Sequence, residues 1–452
     1  MKFLKLAKKY LFFTQRFTKK NKLLNFSFPS LTPNNLVSSS MQRLLSNIDI
    51  NQSQNSITKQ ARHLSLTNSL LSGFLHETLH AEILGKKGMS LDMHTPNKNL
   101  NLRLENLWRD YCDEVFSDVE ELTLLHLIRD GEAFIHINGT DLEVLDPLNI
   151  DHSFTNEREN IYYGIKFDES LKIPLAYFFL DKDSKLIKLN AKNIIHIFQK
   201  VTANQVRGLS KLASIILPAD QVDKFKQAEI QRARLQSEIT GFFVSDEKGF
   251  NLEPITPNDN DAPKPQAVLP TKVEVGNMNY IGSDMKAEFI NSHNPTNIEF
   301  FIKQTNRESA KALGISYSTL TGDLNDVNYS SIRYGGSAER RGFMRLQNFL
   351  IRKLHKPIFK VFLKNLALDS KLPPSQIELA LNNFTFKAQG WEYIDPYKET
   401  MANKIALESA QKSLSDILRE KGKELDSHVE ELKKESEIYK ILNENKVQGA
   451  KR

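Results

Sequence analysis

The feature that most constrains this fold is a change of hydrophobic period at Asp130-Gly131. Ahead of it, apolar residues recur at helical spacing in three runs, "ITKQARHLSLTNSLLSGFLHETLHAEIL", "LNLRLENLWRDYCDEVF" and "DVEELTLLHLIRDG", the last placed for termination by Gly131. Behind it come short β-type runs, "EAFIHI", "LEVLD", "YYGIKF", "PLAYFFL" and "NIIHIF", punctuated by Asn, Asp, Gly and Pro. The first third of the chain is therefore expected to be helical, and a small mixed or antiparallel sheet is expected to follow. In "RDGEAFIHI" the acids Asp130 and Glu132 read as turn chemistry leading from helix to strand, not as an acid pair at a site.

Helical spacing resumes at Leu209 in "LSKLASIILPADQVDKFKQAEIQRARLQSEIT". There Val222, Phe225, Ala228, Leu235 and Ile239 share one face, and charged residues occupy the rest. Gly241 ends that helix, and "GFFVSD", "KVEVG" and "AEFI" flank a loop rich in Pro, Asn and Asp, which predicts a small protruding β subdomain between two helices. The second of these, "NIEFFIKQTNRESAKALG", is closed by Gly314. "ISYSTLTGDLNDVNYSS" follows, too polar and turn-rich for regular structure. A long helix then carries a stripe of Phe343, Leu346, Leu350 and Leu354 past Pro357 to Phe359, Phe362 and Leu366, with a kink expected at Pro357 because proline breaks the backbone ladder. At its start, Asn328, Ser330 and Ser331 are candidate caps, and Gly335 and Gly336 would admit a neighbouring helix. The charged tail reads as two or three surface helices broken near Gly422.

Composition excludes some classes. The 452 residues suffice for two or three domains with a substantial core. Lys and Arg number 61 against 55 for Asp and Glu, a mild basic excess that permits a nucleic-acid partner without requiring one. Cys112 is the single cysteine, so no disulfide can form within the chain, and it reads as a packed small residue. No apolar run reaches the ~20 residues of a membrane helix. Residues 1–48 are basic and free of acids, as in "MKFLKLAKKYLFFTQRFTKKNKLLNFSF"; the alternatives are a segment touching nucleic acid or a membrane surface, a transit-type presequence, or a basic tail without fixed structure. A secretory signal does not fit, because Lys8, Lys9 and Arg16 interrupt the apolar region.

One enzymatic motif stands out. "HETLH" places His76, Glu77 and His80 at the spacing of a helical zinc site with Glu77 as general base, which would make a metallopeptidase. The run after it, "AEILGKKGMSLDMH", carries no further ligand at the spacing of the extended motif, and charged Glu82 interrupts the apolar helix expected there, so a polar helix face is the expectation. No phosphate-binding loop and no G-x-S-x-G elbow is present. Neither an active site nor a cofactor is expected.

The order of several segments resembles the lambda-type phage portal proteins. The stretch from Ala312 to Leu363, "ALGISYSTLTGDLNDVNYSSIRYGGSAERRGFMRLQNFLIRKLHKPIFKVFL", is similar to the family's signature region, with its Leu-Gly-Ile helix end and Asn-Tyr-Ser-Ser-x-Arg segment. "RDGEAFIHI", "IIHIFQKVTANQVRGLSKLASII" and "WEYIDPYKETMANKIAL" resemble its helix-to-strand turn, its strand followed by Arg-Gly and an apolar helix, and its Asp-Pro segment. The similarity runs from about Thr58 to Asn443; the basic arm has no counterpart in it.

The resemblance implies a mainly helical α+β portal fold: a basic arm and polar linker over residues 1–56 that need not be ordered, a wing over 57–217, a stem helix over 218–240, and a clip over 241–296. A second stem helix over 297–314, a tunnel loop over 315–328, a long kinked helix over 329–368, and a return to the wing with crown helices over 369–452 complete it. It further implies a homo-oligomeric ring, commonly of twelve subunits, at one capsid vertex of the virion, assembled in the host cytoplasm. Double-stranded DNA would pass through this ring for packaging and ejection, with the terminase, the major capsid protein and head-tail connector proteins as partners. The tunnel loop would present Thr321, Gly322, Asp323, Asn325, Asp326 and Asn328, and Tyr329, Ser330, Ser331 and Arg333 would join it to the long helix. Asp220, Asp223, Glu229, Arg232 and Glu238 are the stem-helix candidates for the channel wall, where mixed charge would suit passing DNA better than a basic stripe that grips phosphates. The metallopeptidase and a membrane-associated protein anchored by the basic arm are the two alternatives to the portal reading.

Overall fold

The computed structural model describes residues 47–85, 88–171, 173–203, 205–238, 242–245, 285–288, 298–325, 329–369, 372–388, 390–391 and 395–420, with 425, 428–429, 432–433 and 435–436 beyond them. The basic arm, most of the segment between the two stem-type helices, and the end of the tail lie outside these residues. The chain divides into two units, residues 1–217 with 306–452 and residues 218–305.

The first unit begins with α1 (Asn47–Thr67). The polar stretch expected as a linker therefore belongs in part to a helix, and Gln54 and Thr58 on it are buried. A short α2 (Ser69–Gly73) follows, capped by the Asn68 side chain accepting from Leu71 N. It runs through a π-helical turn (Phe74–Thr78) into α3 (Leu79–Ile83). After β1 (Ser90–Met93), α4 (Lys98–Tyr111) passes through a second π-helical turn (Cys112–Phe116) into α5 (Ser117–Arg129).

The change of period at Gly131 is also a change of element. β2 (Glu132–Asn138) lies between β3 (Asp141–Leu145) and β8 (Ile194–Phe198) in an antiparallel sheet. A second antiparallel sheet orders β4 (Ile161–Tyr162), β5 (Ile165–Phe167), β6 (Pro174–Leu180) and β7 (Leu186–Asn190). Phe134, Ile150, Ile165, Tyr177, Phe179 and Ile194 close one core between the sheets. Each such side chain withdrawn from water contributes about 1.5–3 kcal/mol.

Residues 211–215 form turns, so the helix expected from Leu209 starts only with α6 (Ile216–Glu238). The second unit holds nearly all of α6, the antiparallel pair β9 (Phe242–Ser245) and β10 (Met285–Glu288), and the start of α7 (Ile298–Leu313). Within it, Ala219 and Val222 are buried, and Phe225 meets Phe301 edge to face at 5.5 Å. Ala228, counted on the apolar face by its spacing, is exposed. The side chains of Leu235 and Ile239, and the run "KVEVG", lie outside the described residues.

Gly314 ends α7 with φ +81°, and Ile315 N donates to Ala310 O at 3.0 Å, which satisfies a carbonyl the helix end would leave open. α8 (Tyr317–Thr321) is a short helix inside the stretch expected to be irregular. The long helix is α9 (Tyr329–Leu350), a π-helical turn (Ile351–His355) and α10 (Lys356–Leu368). The chain stays helical through Pro357, where a kink is expected, with the π-helical turn ending two residues before it. Its apolar stripe packs on the α4 region: Trp108 is surrounded by Phe116, Phe359, Phe362 and Phe386 with ring centroids 5.2–5.7 Å away. Gln347 Nε2 donates to Ile83 O at 3.0 Å and ties the same helix to α3.

After α11 (Pro374–Asn382), β11 (Phe384–Lys387) returns to pair antiparallel with β1, Leu91 facing Phe386. α12 (Pro396–Glu408) and α13 (Leu414–Glu420) follow. The tail is thus broken at residues 409–413; the break expected near Gly422 lies outside the described residues.

Candidate functional site

The most completely built polar centre lies where the helical and β parts of the first unit meet. Gly131 has φ +94°, and a Cβ there would stand 2.2 Å from the Leu209 carbonyl carbon. A Cβ on Gly208 would likewise stand 2.2 Å from Gly131 O, so only two glycines allow these backbones to cross. The crossing delivers the two acids of "RDGE" into the interior on either side of Gly131.

Asp130 is fully buried. It accepts from Arg62 at 3.0 and 2.8 Å, from Arg129 at 2.9 and 3.0 Å, and closely from His126 Nδ1. Burial alone would raise its pKa, yet the His126, Arg129 and Arg62 donors prevail and hold the carboxyl well below the usual range. Arg62 continues to Asp146 at 2.9 and 2.6 Å, fastening α1 to the end of β3.

Glu132, also fully buried, faces Arg207 at 2.6 Å. It further accepts from Gly208 N at 2.7 Å, His196 Nε2 at 3.0 Å and Gln54 Nε2 at 3.0 Å. Burial opposes the charge, but Arg207 and His196 overcome it and lower the carboxyl to about 2. His196 is shifted down, chiefly by burial. Arg207, 1% exposed, spends its remaining donors on Tyr163 O and Pro147 O. With both carboxylates enclosed by donors, neither is placed for proton transfer to a substrate. The arrangement is a joint between α1, α5, β2, β8 and the segment entering α6. The turn foreseen at Asp130-Gly131 is present, but the sequence reading missed the buried pairing around it; the only signal was Arg207-Gly208 following a strand.

A second polar cluster organises the described part of the 315–328 segment. Ser316 caps α8, its side chain accepting from Thr319 N at 3.1 Å. Thr319 Oγ1 donates to Glu339 Oε2 on α9 at 3.0 Å. Burial raises the Glu339 carboxyl above its usual range, and the charge of Glu82 adds to it. Gly322 closes α8 with φ +70°, and Asp323 then turns the chain by accepting from Asn325 N at 2.9 Å. Tyr317 donates to Asp323 Oδ2 at 3.3 Å while Arg307 lies over the Tyr317 ring at 5.6 Å. Thr321 Oγ1 folds back onto Tyr317 O at 2.8 Å. Of the loop candidates, Thr321, Gly322, Asp323 and Asn325 thus sit together at the end of α8, with Gly322 and Asn325 exposed. Asp326 and Asn328 lie outside the described residues. Glu339, Ser316 and Tyr317 were missed, although Glu339 stands within the polar start of the long helix.

Tyr329 opens α9, which puts Ser330 and Ser331 inside its first turn and not at the capping position assigned to them. Their side chains, with those of Tyr329 and Arg333, lie outside the described residues. Among the described residues, apart from the adjoining backbone of α9 itself, nothing comes within 4 Å of a Cβ built on Gly335 or Gly336, so no described helix uses the approach they permit.

On α6 the charged candidates pair along the helix: Asp220 with Lys224 at 2.7 Å, Asp223 with Lys226 at 4.0 Å, and Glu229 with Arg232 at 3.5 Å. The Glu238 side chain is not described. His76 and Glu77 fall on a π-helical turn, where bonds close at i+5 and the α-helical i,i+4 alignment is lost. Both are exposed, and His80 Nε2 contacts Glu121 O at 3.2 Å. Among the described residues, no three His, Cys, Asp or Glu side chains converge as metal ligands. Cys112 is packed, and burial pushes its thiol far up, which keeps it protonated.

Residues 40–347 match the family described as phage portal protein, lambda family. A probable portal protein of Halomonas phage phiHAP-1 is 26% identical over 341 residues, covering 70% of this chain and 64% of the relative. The match thus spans less than two thirds of that relative's length. Among solved structures, a chain from the virion of a native gene transfer agent particle shares 13% identity at TM-score 0.43, covering 80% of this chain and 91% of its own. A chain from the neck of the empty particle gives 13% identity and TM-score 0.41, with 80% and 92% covered.

Proposed function

The chain belongs to the lambda family of phage portal proteins, and we propose that copies of it, commonly twelve, form a ring at one capsid vertex through which double-stranded DNA is packaged and ejected. In this reading it is a structural component of the virion without an active site, assembled in the host cytoplasm. The terminase docks on the 241–296 segment during packaging, and connector proteins replace it there afterwards, while the major capsid protein surrounds the wing. The observation that carries the reading is the family match across residues 40–347, which takes in the stem-type helices, the 315–328 segment and the start of the long helix.

The local chemistry fits that role. A channel for moving DNA has to avoid gripping several phosphates at once, because each neutralised phosphate adds to a salt-sensitive brake. The i,i+3 and i,i+4 pairing of Asp220, Asp223 and Glu229 with cations on the same helix leaves α6 a face of mixed sign. Thr319 ties one side of the 315–328 segment to Glu339 and Asp323 turns it, which would give a tunnel loop a fixed root.

Replacing Asp323 and Asp326 by Asn tests the assignment. The side-chain carbonyl that Asp323→Asn introduces can still accept from the Asn325 amide, so the turn survives while two charges leave the loop. Rings should assemble at wild-type yield, and packaged DNA per particle should fall. Wild-type packaging and retention in the doubly substituted particle would remove the loop from the channel.

A further inference from the structure

Within the first unit, a cleft of about 230 Å³ opens where the end of α5, the residue after β8, the end of α7 and the middle of α9 converge. Polar and apolar surface share its walls about equally, with Ile128 and Leu346 on the apolar side; among the described residues its polar side chains are Lys211, Arg345 and Gln199, and no carboxylate lines it. Lys211 and Arg345 are both exposed, and among the described residues neither side chain has a hydrogen bond or ion pair. That is unlike Arg62, Arg129 and Arg207 of the same unit, each of which is matched to acids. Two like charges beside apolar walls repel, and the Lys211 ammonium is held below its ordinary value by burial of part of the chain and by Arg345. Gly314 and Gly342 border the cleft with open space where a Cβ would stand, so its mouth is kept clear by two missing side chains.

We propose that this cleft is a carboxylate-binding site, in which Lys211 and Arg345 take the anionic head, Gln199 donates to it, and the apolar wall receives a short hydrocarbon stem. An anion between the two cations converts their repulsion into two charge-assisted hydrogen bonds. The volume is ample for butyrate or for an Asp or Glu side chain, and the carboxylate is either a free small acid or an acidic residue of a second copy of this chain.

Gly342 supplies a variant that separates binding from folding. It sits within α9 without a positive φ and lines the cleft, and among the described residues beyond its own helix backbone nothing lies within 4 Å of its Cβ position, so Gly342→Leu adds bulk to the cleft without straining the backbone. Thermal unfolding of the full chain is followed while sodium butyrate replaces chloride at constant ionic strength, in wild type, Gly342→Leu and Lys211→Gln/Arg345→Gln. The expected result is a saturable rise in melting temperature in wild type and no rise over the same butyrate range in either variant, apparent affinity falling about tenfold or more through lost charge-assisted hydrogen bonds in Lys211→Gln/Arg345→Gln and through occupied space in Gly342→Leu. Sedimentation velocity of the same proteins distinguishes the sources. No butyrate response in wild type, joined to weaker self-association in both variants with unchanged circular dichroism, assigns the carboxylate to a second copy. A rise that survives in either variant, or no butyrate response with self-association unchanged, overturns the site.

Discussion

Replacing Arg207 by Met tests the buried joint most sharply. Arg207 is 1% exposed and Glu132 0%, and their side chains meet at 2.6 Å. Methionine keeps much of the stem volume, so the main loss is the cation. Glu132 then retains Gly208 N, His196 and Gln54 as donors but has no positive charge to offset its desolvation. Breaking one side of a buried pair in this way costs about 3–5 kcal/mol.

Acid should act oppositely on the two proteins. In wild type, Glu132 is lowered from 4.5 to about 2, so its contribution is fully present above pH 4.5 and is lost as pH falls toward 2. A shift of that size corresponds to about 3 kcal/mol. In the variant, burial is no longer outweighed and the carboxyl titrates above its unfolded value. Protonation then relieves the defect, and the difference from wild type shrinks between pH 7 and pH 4. Hydrogen exchange of the β2 amides reads the local opening free energy in the full chain. Glu132→Gln/Arg207→Met should recover at least half of the loss. A cost below about 1 kcal/mol at neutral pH, against the range for broken buried pairs, or a cost that grows in acid, would refute the reasoning.

Glu339 predicts the reverse sign at the second cluster. Its folded carboxyl is raised, so its ionisation opposes folding; Glu339→Gln should stabilise the α8–α9 contact at pH 7.5, with the gain vanishing below pH 4.5 where wild type is protonated in both states. Denaturation midpoints at the two pH values check it, and a destabilised variant at pH 7.5 would count against it. For the H-E-x-x-H run, His76→Ala/His80→Ala is expected to leave zinc content and melting temperature unchanged, with chelator treatment of wild type equally without effect; stoichiometric zinc lost in the variant would restore the metallopeptidase alternative.

Much of the first unit was legible in the sequence because its elements carry their own signals. "PLAYFFL" is β6 residue for residue, and the Gly314 helix end announces itself through the one residue that adopts positive φ at little cost. The pairing of β1 with β11 was not legible, since "SLDM" and "FTFK" are too short to show a period and find each other only through the folded aromatic cluster around Trp108. α8 was hidden for a related reason: five residues rich in Ser and Thr have low helix propensity, and the Ser316 cap and the Glu339 contact that hold them are tertiary facts. The same holds at the central joint. Asp130-Gly131 has the local chemistry of a turn and does form one; that Arg62, His126, Glu132, His196 and Arg207 converge on it is set by a backbone crossing at Gly208, which no periodicity encodes.

Electron microscopy of the purified full-length chain measures the central claim directly. Closed rings of uniform subunit number with a central channel wide enough for a DNA duplex are expected, from wild type and from the Asp323→Asn/Asp326→Asn variant alike. Particles without rotational symmetry or a central opening, across concentrations at which the chain self-associates, would contradict it.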